Sequence, residues 1–257
     1  MKSAVLRLKG DKSVAAIYTE AHQVTYYEGD TKNQMTLAML INVAILVSER
    51  QNDQLGLTNA VVHGYNVGWV VTQYQIDIQR LPNVDETVTF GTAATGYNKY
   101  FCYRDYWVDA ANGERLVTIH SSWVLMSYAT RSMVAVIPAL VEPYDVPEIK
   151  GIQRFPRVHH VDKAVAQQQP YRVRYYDIDA NQHVNNVHYF DWMFDHLGGD
   201  FLNSHDLVSI NIRYEHELKA GDMAQSYYEL DEQGSRHLIA STSGKCAEAE
   251  VIWQART

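Results

Sequence analysis

The sequence predicts an α+β protein made twice: two tandem units, each a long central helix wrapped by a curved antiparallel sheet. Three observations point there. A run apolar on nearly every face opens the first half, runs with a single apolar face follow it, and the two halves share matches in the same order. A helix of that kind beside one-sided strands buries both only if the sheet curls around it.

In the first half the helix spans residues 33–50, with Met35, Leu37, Ala38, Met39, Leu40, Ile41, Val43, Ala44, Ile45, Leu46 and Val47 distributed around it. The run from Met35 to Val47 is well short of the roughly 20 residues that cross a bilayer, so no membrane span is expected. Tyr74, Ile76 and Ile78 then alternate with Gln73, Gln75 and Asp77, as in a half-buried strand. Five of the six prolines (Pro138, Pro143, Pro147, Pro156, Pro170) fall in a stretch of little periodicity that ends in Gln167-Gln168-Gln169-Pro170, which reads as a linker. The predicted divisions are therefore 1–140 for the first unit, 141–170 for the linker and 171–257 for the second unit. In the second unit Val187, Phe190, Phe194 and Leu197 keep helical spacing, with Gly198-Gly199 as the stop. Val208, Ile210, Ile212 and Tyr214 form one alternating strand, and Ala247, Ala249, Val251 and Trp253 another.

The repeat is weak but ordered. Tyr26-Tyr27-Glu28-Gly29-Asp30 matches Tyr175-Tyr176-Asp177-Ile178-Asp179. With one residue of slippage, Asn33-Gln34-Met35 parallels Asn181-Gln182-His183, and Leu81-Pro82-Asn83-Val84-Asp85 parallels Leu218-Lys219-Ala220-Gly221-Asp222.

Composition narrows the function. Hydrophobic residues at 46% and charged residues at 20% suit a packed core, and the formal net charge of -8 argues against nucleic acid as a partner. Cys102 and Cys246 have neither disulfide-framework nor zinc spacing, and the opening MKSAVLRLKGDKSV lacks a signal-peptide pattern, so a reducing cytoplasm is expected.

The densest polar cluster runs from Tyr175 to Val187 and packs two carboxylates, three asparagines and His183 into a strand-to-helix connection. Asp179 or Asn181 can cap exposed amides there, but capping does not require a histidine. An imidazolium just inside a helix N-terminus opposes the dipole, which makes Asp179 its expected partner. The matched position in the first half is Met35. This suggests chemistry in the second unit and an apolar pocket in the first, with Met35 and Met39 as candidates to line it.

DANQHVNNVHYFDW, followed by IRYEHEL, resembles the acyl-acyl carrier protein thioesterases of plants and bacteria, which consist of two fused hotdog units. The resemblance covers most of the chain and implies hydrolysis of fatty acyl-carrier thioesters in fatty acid biosynthesis, ending chain elongation. It implies catalytic roles for Asp179, Asn181, His183 and Glu217. Plant members carry a cysteine after the glutamate where this chain has Leu218, which points to attack by water rather than by a thiol.

In that reading Glu217 and His183 polarise water, Asp179 and Asn181 fix the imidazole, and the backbone amide near Val184 holds the oxyanion. No metal and no cofactor is expected beyond the phosphopantetheine that the substrate carries. Acyl carrier protein is acidic, so the resemblance implies a basic docking surface. Six basic residues (Lys150, Arg154, Arg157, Lys163, Arg172, Arg174) stand against the single acid Asp162 over 150–174, and Arg172 and Arg174 are the leading candidates. Alternatives from the same residues are a coenzyme A thioesterase, a hotdog dehydratase or hydratase, and a non-catalytic acyl-binding protein. The fused pair already supplies the dimer that single hotdog units form, and a homodimer of the whole chain is left open.

Overall fold

The computed structural model describes residues 16–256. Strand β1 (Tyr18–Gln23) leads through a short 3-10 turn to helix α1 (Leu37–Gln54) and helix α2 (Asn59–Gly64). Four long strands follow, β2 (Val67–Ile78), β3 (Thr87–Tyr97), β4 (Phe101–Asp109) and β5 (Arg115–Ser127), and then the short β6 (Met133–Val134). The second half contains β7 (Gln167–Arg172), α3 (His188–Phe194), α4 (Gly198–Ser204), β8 (His205–Tyr214), β9 (Met223–Asp231), β10 (Gly234–Ser241) and β11 (Gly244–Ala255).

The eleven strands of the described residues form one antiparallel sheet in the order β1-β3-β4-β5-β2-β8-β11-β10-β9-β7, with β6 beside β5. The halves meet where β2 pairs with β8, from Gln73↔Arg213 to Asp77↔Ser209. The core is continuous across that seam, and Leu40 and Ile41 of α1, Tyr74 and Ile76 of β2, Phe190 and Met193 of α3, and Ile210 and Ile212 of β8 belong to one cluster.

The strand alternation predicted for β2, β8 and β11 is present, with a bulge at Val208, facing the Ile252–Trp253 step of β11, that buries Leu207 in its place. The helices start later than their apolar pattern suggests. α1 begins at Leu37 because Asn33 takes a left-handed φ of 57° and Thr36 caps the helix by accepting the Met39 amide at 3.2 Å. In the second half α3 gives way to a 3-10 turn at Asp195–Leu197, and Gly198, at φ 78°, opens α4 rather than ending the helical region.

The glutamine run that reads as linker is edge strand β7, paired with β9 from Gln167↔Tyr228 to Arg172↔Met223. Pro170 is tolerated there because one side of an edge strand has no ladder to lose. The segment before it is not free in solvent. Gln153 donates its amide to Tyr103 of β4 at 3.0 Å, and Pro156 accepts from Asn211 of β8 at 2.7 Å. His159 and His160 meet Glu250 and Glu248 of β11 at 2.9 and 3.2 Å, and Asp162 donates its amide to Glu229 of β9 at 2.8 Å. This strap crosses the sheet almost from edge to edge and covers a face that the sequence predicts to be wet.

Inside the second unit His237 is fully enclosed, with Nε2 against Ser235 Oγ at 2.8 Å. Burial, reinforced by nearby His196, pushes its pKa down to about 3. An unfolded histidine titrates near 6.5, so between these values the unfolded chain binds a proton that the folded chain refuses. Stability is therefore full above pH 6.5 and falls on acidification toward pH 3, by about 1.4 kcal/mol per pH unit for this one proton. His237→Leu should reduce the acid slope of the denaturation free energy by one proton over that range; an unchanged slope would contradict the assignment.

Candidate active site

The two halves place the same tight turn before their main helices. In the second, Asp179 Oδ1 accepts the amides of Asn181 at 2.8 Å and His183 at 3.4 Å, and the Val184 amide donates to Leu218 O at 2.9 Å. In the first, Asp30 Oδ1 accepts the amides of Lys32 at 2.8 Å and Gln34 at 3.1 Å, and the Met35 amide donates to Pro82 O at 2.8 Å. Gln182 and Asn33 both sit at left-handed φ, 67° and 57°.

These bonds correct the sequence alignment. No slippage exists: Gln34 is the counterpart of His183, Met35 that of Val184, and Lys32 that of Asn181. The later match is also offset by one residue. The Asn83 and Lys219 amides each bond the carboxylate three residues on, at 2.9 Å, which sets Leu81 opposite Glu217. One copy therefore carries His and Glu where the other carries Gln and Leu on the same backbone.

The second copy's pair converges. Val184 follows His183 and Leu218 follows Glu217, so the Val184–Leu218 hydrogen bond holds the two side chains side by side, with His183 Nε2 and Glu217 Oε2 3.1 Å apart. Arg131, from the turn between β5 and β6, completes the cluster. Its Nη2 lies 2.6 Å from His183 Nε2 and also donates to Glu217 Oε2. An arginine only donates, so Nε2 accepts and carries the lone pair, with the ring proton on Nδ1. Burial and the Arg131 charge lower the His183 pKa below its ordinary value, against opposing pulls from Glu217 and Asp179. The result is a neutral imidazole that presents a basic nitrogen beside a carboxylate.

Several expected roles change. His183 lies in the turn, five residues before α3 begins at His188, so the helix dipole does not act on it as predicted. Among the described residues no hydrogen bond joins Asp179 or Asn181 to the imidazole. Asp179 holds the backbone of the turn, and Asn181 Nδ2 reaches Asp179 Oδ2 at 3.4 Å. The Val184 amide cannot hold an oxyanion because Leu218 already accepts it. Met35 is packed in the core with no exposed surface, and Met39 is half-buried on α1. Arg174 is bound to the fully buried Asp177 at 2.7 Å, while Arg172, on edge strand β7, is exposed. Arg131 is invisible to motif reading, since it lies 52 residues before His183 and 86 before Glu217.

The fold is a tandem pair of hotdog units with a polar site in the second. Residues 15–144 match the Acyl-ACP thioesterase N-terminal domain and residues 160–255 the Acyl-ACP thioesterase C-terminal domain, so the chain belongs to the acyl-ACP thioesterase family. It is 26% identical over 253 residues to the chloroplastic oleoyl-acyl carrier protein thioesterase of Coriandrum sativum, covering 90% of this chain and 68% of that one. It is 26% identical over 226 residues to the chloroplastic palmitoyl-acyl carrier protein thioesterase of Cuphea hookeriana, covering 82% and 54%. The chain spans little more than half the length of several such relatives. Among solved structures, a proposed oleoyl thioesterase of Lactobacillus plantarum is 43% identical with a TM-score of 0.91, covering 95% of this chain and 98% of that one. The 12:0-ACP thioesterase of Umbellularia californica, at 19% identity and a TM-score of 0.84 over 93% and 98% of the two chains, shares the fold.

If Asp179 serves the turn rather than the ring, the variant that still accepts hydrogen bonds should retain function. Asp179→Ala should lower turnover at least about tenfold and Asp179→Asn should restore most of it, as for other side-chain caps of backbone amides. Equal losses in both variants, measured by steady-state kinetics, would assign the carboxylate charge a direct role instead.

Proposed function

We propose that the protein hydrolyses fatty acyl-acyl carrier protein to free fatty acid and holo carrier protein, ending chain elongation. The observation that carries this reading is the placement of His183 Nε2 3.1 Å from Glu217 Oε2, both accepting from Arg131, in a copy whose twin has Gln34 and Leu81. Membership of the family supports the substrate class.

The residues suit attack by water. Glu217 orients the water, and His183 Nε2 takes its proton as the oxygen adds to the thioester carbon. The tetrahedral intermediate collapses with cleavage of the C–S bond, and the imidazolium returns the proton to the departing thiolate, leaving a carboxylic acid and a thiol. Thiolate attack has poor support. Burial pushes the Cys102 thiol up to about 12 and raises that of Cys246, and Leu218 occupies the position next to Glu217. The reaction calls on no cofactor beyond the substrate's own phosphopantetheine.

On the carrier side, Arg172 is exposed on an edge strand with no ion pair among the described residues, whereas Asp177 already neutralises Arg174. On the acyl side, Met39 is the better placed of the two methionines, being half-buried against the core. A reducing cytoplasm suits the two free cysteines. No helix among the described residues is long and apolar enough to cross a membrane.

The test is thiol release from purified acyl carrier thioesters. The wild-type chain should release thiol, and His183→Ala and Glu217→Gln should each lower kcat by about 10²–10⁴ while the fold survives, the usual range for acid-base groups. Wild-type rates in both variants would remove the assignment.

A further inference from the structure

The proposed hydrolysis needs a group to receive the negative charge that develops on the carbonyl oxygen. The amides from Asn181 to Asn185, which flank His183, are already committed. Asn181 and His183 donate to Asp179 Oδ1 at 2.8 and 3.4 Å, and Gln182 donates to Asp179 O at 3.1 Å. Val184 donates to Leu218 O and Asn185 to Asp177 O, each at 2.9 Å. The cation in direct contact with both His183 and Glu217 is Arg131.

Arg131 reaches the site from a braced turn. Its amide donates to Ser127 O at 2.9 Å, Ser127 donates to Ser132 O at 3.0 Å, and the Thr130 and Ser132 hydroxyls meet at 2.7 Å. Tyr128 anchors the turn to Asn66 O through its amide at 3.1 Å, and its ring fills the space where Gly68 lacks a side chain. Arg131 itself holds a left-handed φ of 52°, a conformation that an arginine adopts only where its surroundings impose it.

We propose that Arg131, supplied by the non-catalytic copy, is a catalytic residue that binds the oxyanion of the tetrahedral intermediate. The inference rests on the hydrolase reading above. In the free site one guanidinium nitrogen serves both His183 and Glu217. When the thioester carbonyl enters, that N–H turns to the carbonyl oxygen, and His183 Nε2 is released to take the proton of the attacking water. As water adds, the C=O electron pair moves onto the oxygen that the guanidinium holds. It returns when the C–S bond breaks and the thiolate takes the proton back from His183. Base and oxyanion donor thus become available together, and only with substrate present.

Removing a preorganised oxyanion donor costs about 10²–10³ in kcat. Arg131→Gln should lose about that much kcat with KM nearly unchanged, and equally on acyl carrier protein and on a coenzyme A thioester of the same acyl chain. Arg131→Lys should retain part of the rate, and guanidinium ion should partly rescue Arg131→Ala. The groups facing His183 are Glu217, Asp179, Lys219 and Arg131, and Arg131 and Lys219 oppose protonation. Loss of Arg131 should therefore move the acid limb of kcat/KM to higher pH, a shift that a purely structural role would not produce. An Arg131→Gln enzyme with wild-type kcat, beside an inactive His183→Ala, would overturn this inference and leave the hydrolase reading intact. A loss confined to KM for the carrier substrate would make Arg131 a docking residue and likewise overturn it. A wild-type chain that releases no thiol would overturn both.

Discussion

The site depends on one constraint of sheet order: β2 lies between β5 and β8 and is antiparallel to both. β5 and β8 must then run the same way and finish at the same end of the sheet, two strand spacings or about 10 Å apart. The turn after β5 carries Arg131 and the segment after β8 carries Glu217, so residues from different halves arrive at one place without any long loop. The shared core beneath the seam, with Tyr74 in edge-to-face contact with Tyr214 at 6.2 Å, keeps that register rigid.

The duplicated turn shows how the two copies diverge on one backbone. Asp30 and Asp179 make the same backbone bonds, so the turn itself is a structural device that both halves retain. The copies differ in two side chains, His183 for Gln34 on the turn and Glu217 for Leu81 on the segment bonded beside it, and the proposed function rests on that difference. The first copy's turn is used differently. Lys32 Nζ, opposite Asn181 in the repeat, donates to Leu202 O at 2.9 Å and His205 O at 3.1 Å, and Thr31 bonds Asn203 at 2.8 Å. The first copy's turn is thereby fastened to the region around α4, and the corresponding turn in the second copy holds the polar cluster.

Much of this was legible in the sequence, for identifiable reasons. Helix α1 and strands β2, β8 and β11 follow from hydrophobic period, which burial enforces directly. His183 and Asp179 stand out because polar residues are concentrated in a short string, whereas Glu217 is marked only by the family resemblance that IRYEHEL carries. The failures have equally physical causes. The repeat was misaligned by one residue because Asn33 and Asn181 match in letter, whereas left-handed φ aligns Asn33 with Gln182. The Val184 amide looked free because its acceptor, the Leu218 carbonyl, is a backbone group 34 positions away that no side-chain pattern reports. β7 was hidden because a polar edge strand has little hydrophobic period, and Arg131 because only the sheet order brings it to the site.

The central claim is that His183 and Glu217 act as one unit on a single reacting centre. The most direct measurement is kcat/KM for thiol release by His183→Ala, Glu217→Gln and the double variant on the same acyl carrier substrate. Groups that work together lose their contribution once, so the double variant should be little worse than the poorer single variant. Losses that multiply, as for two independent sites, would contradict the account.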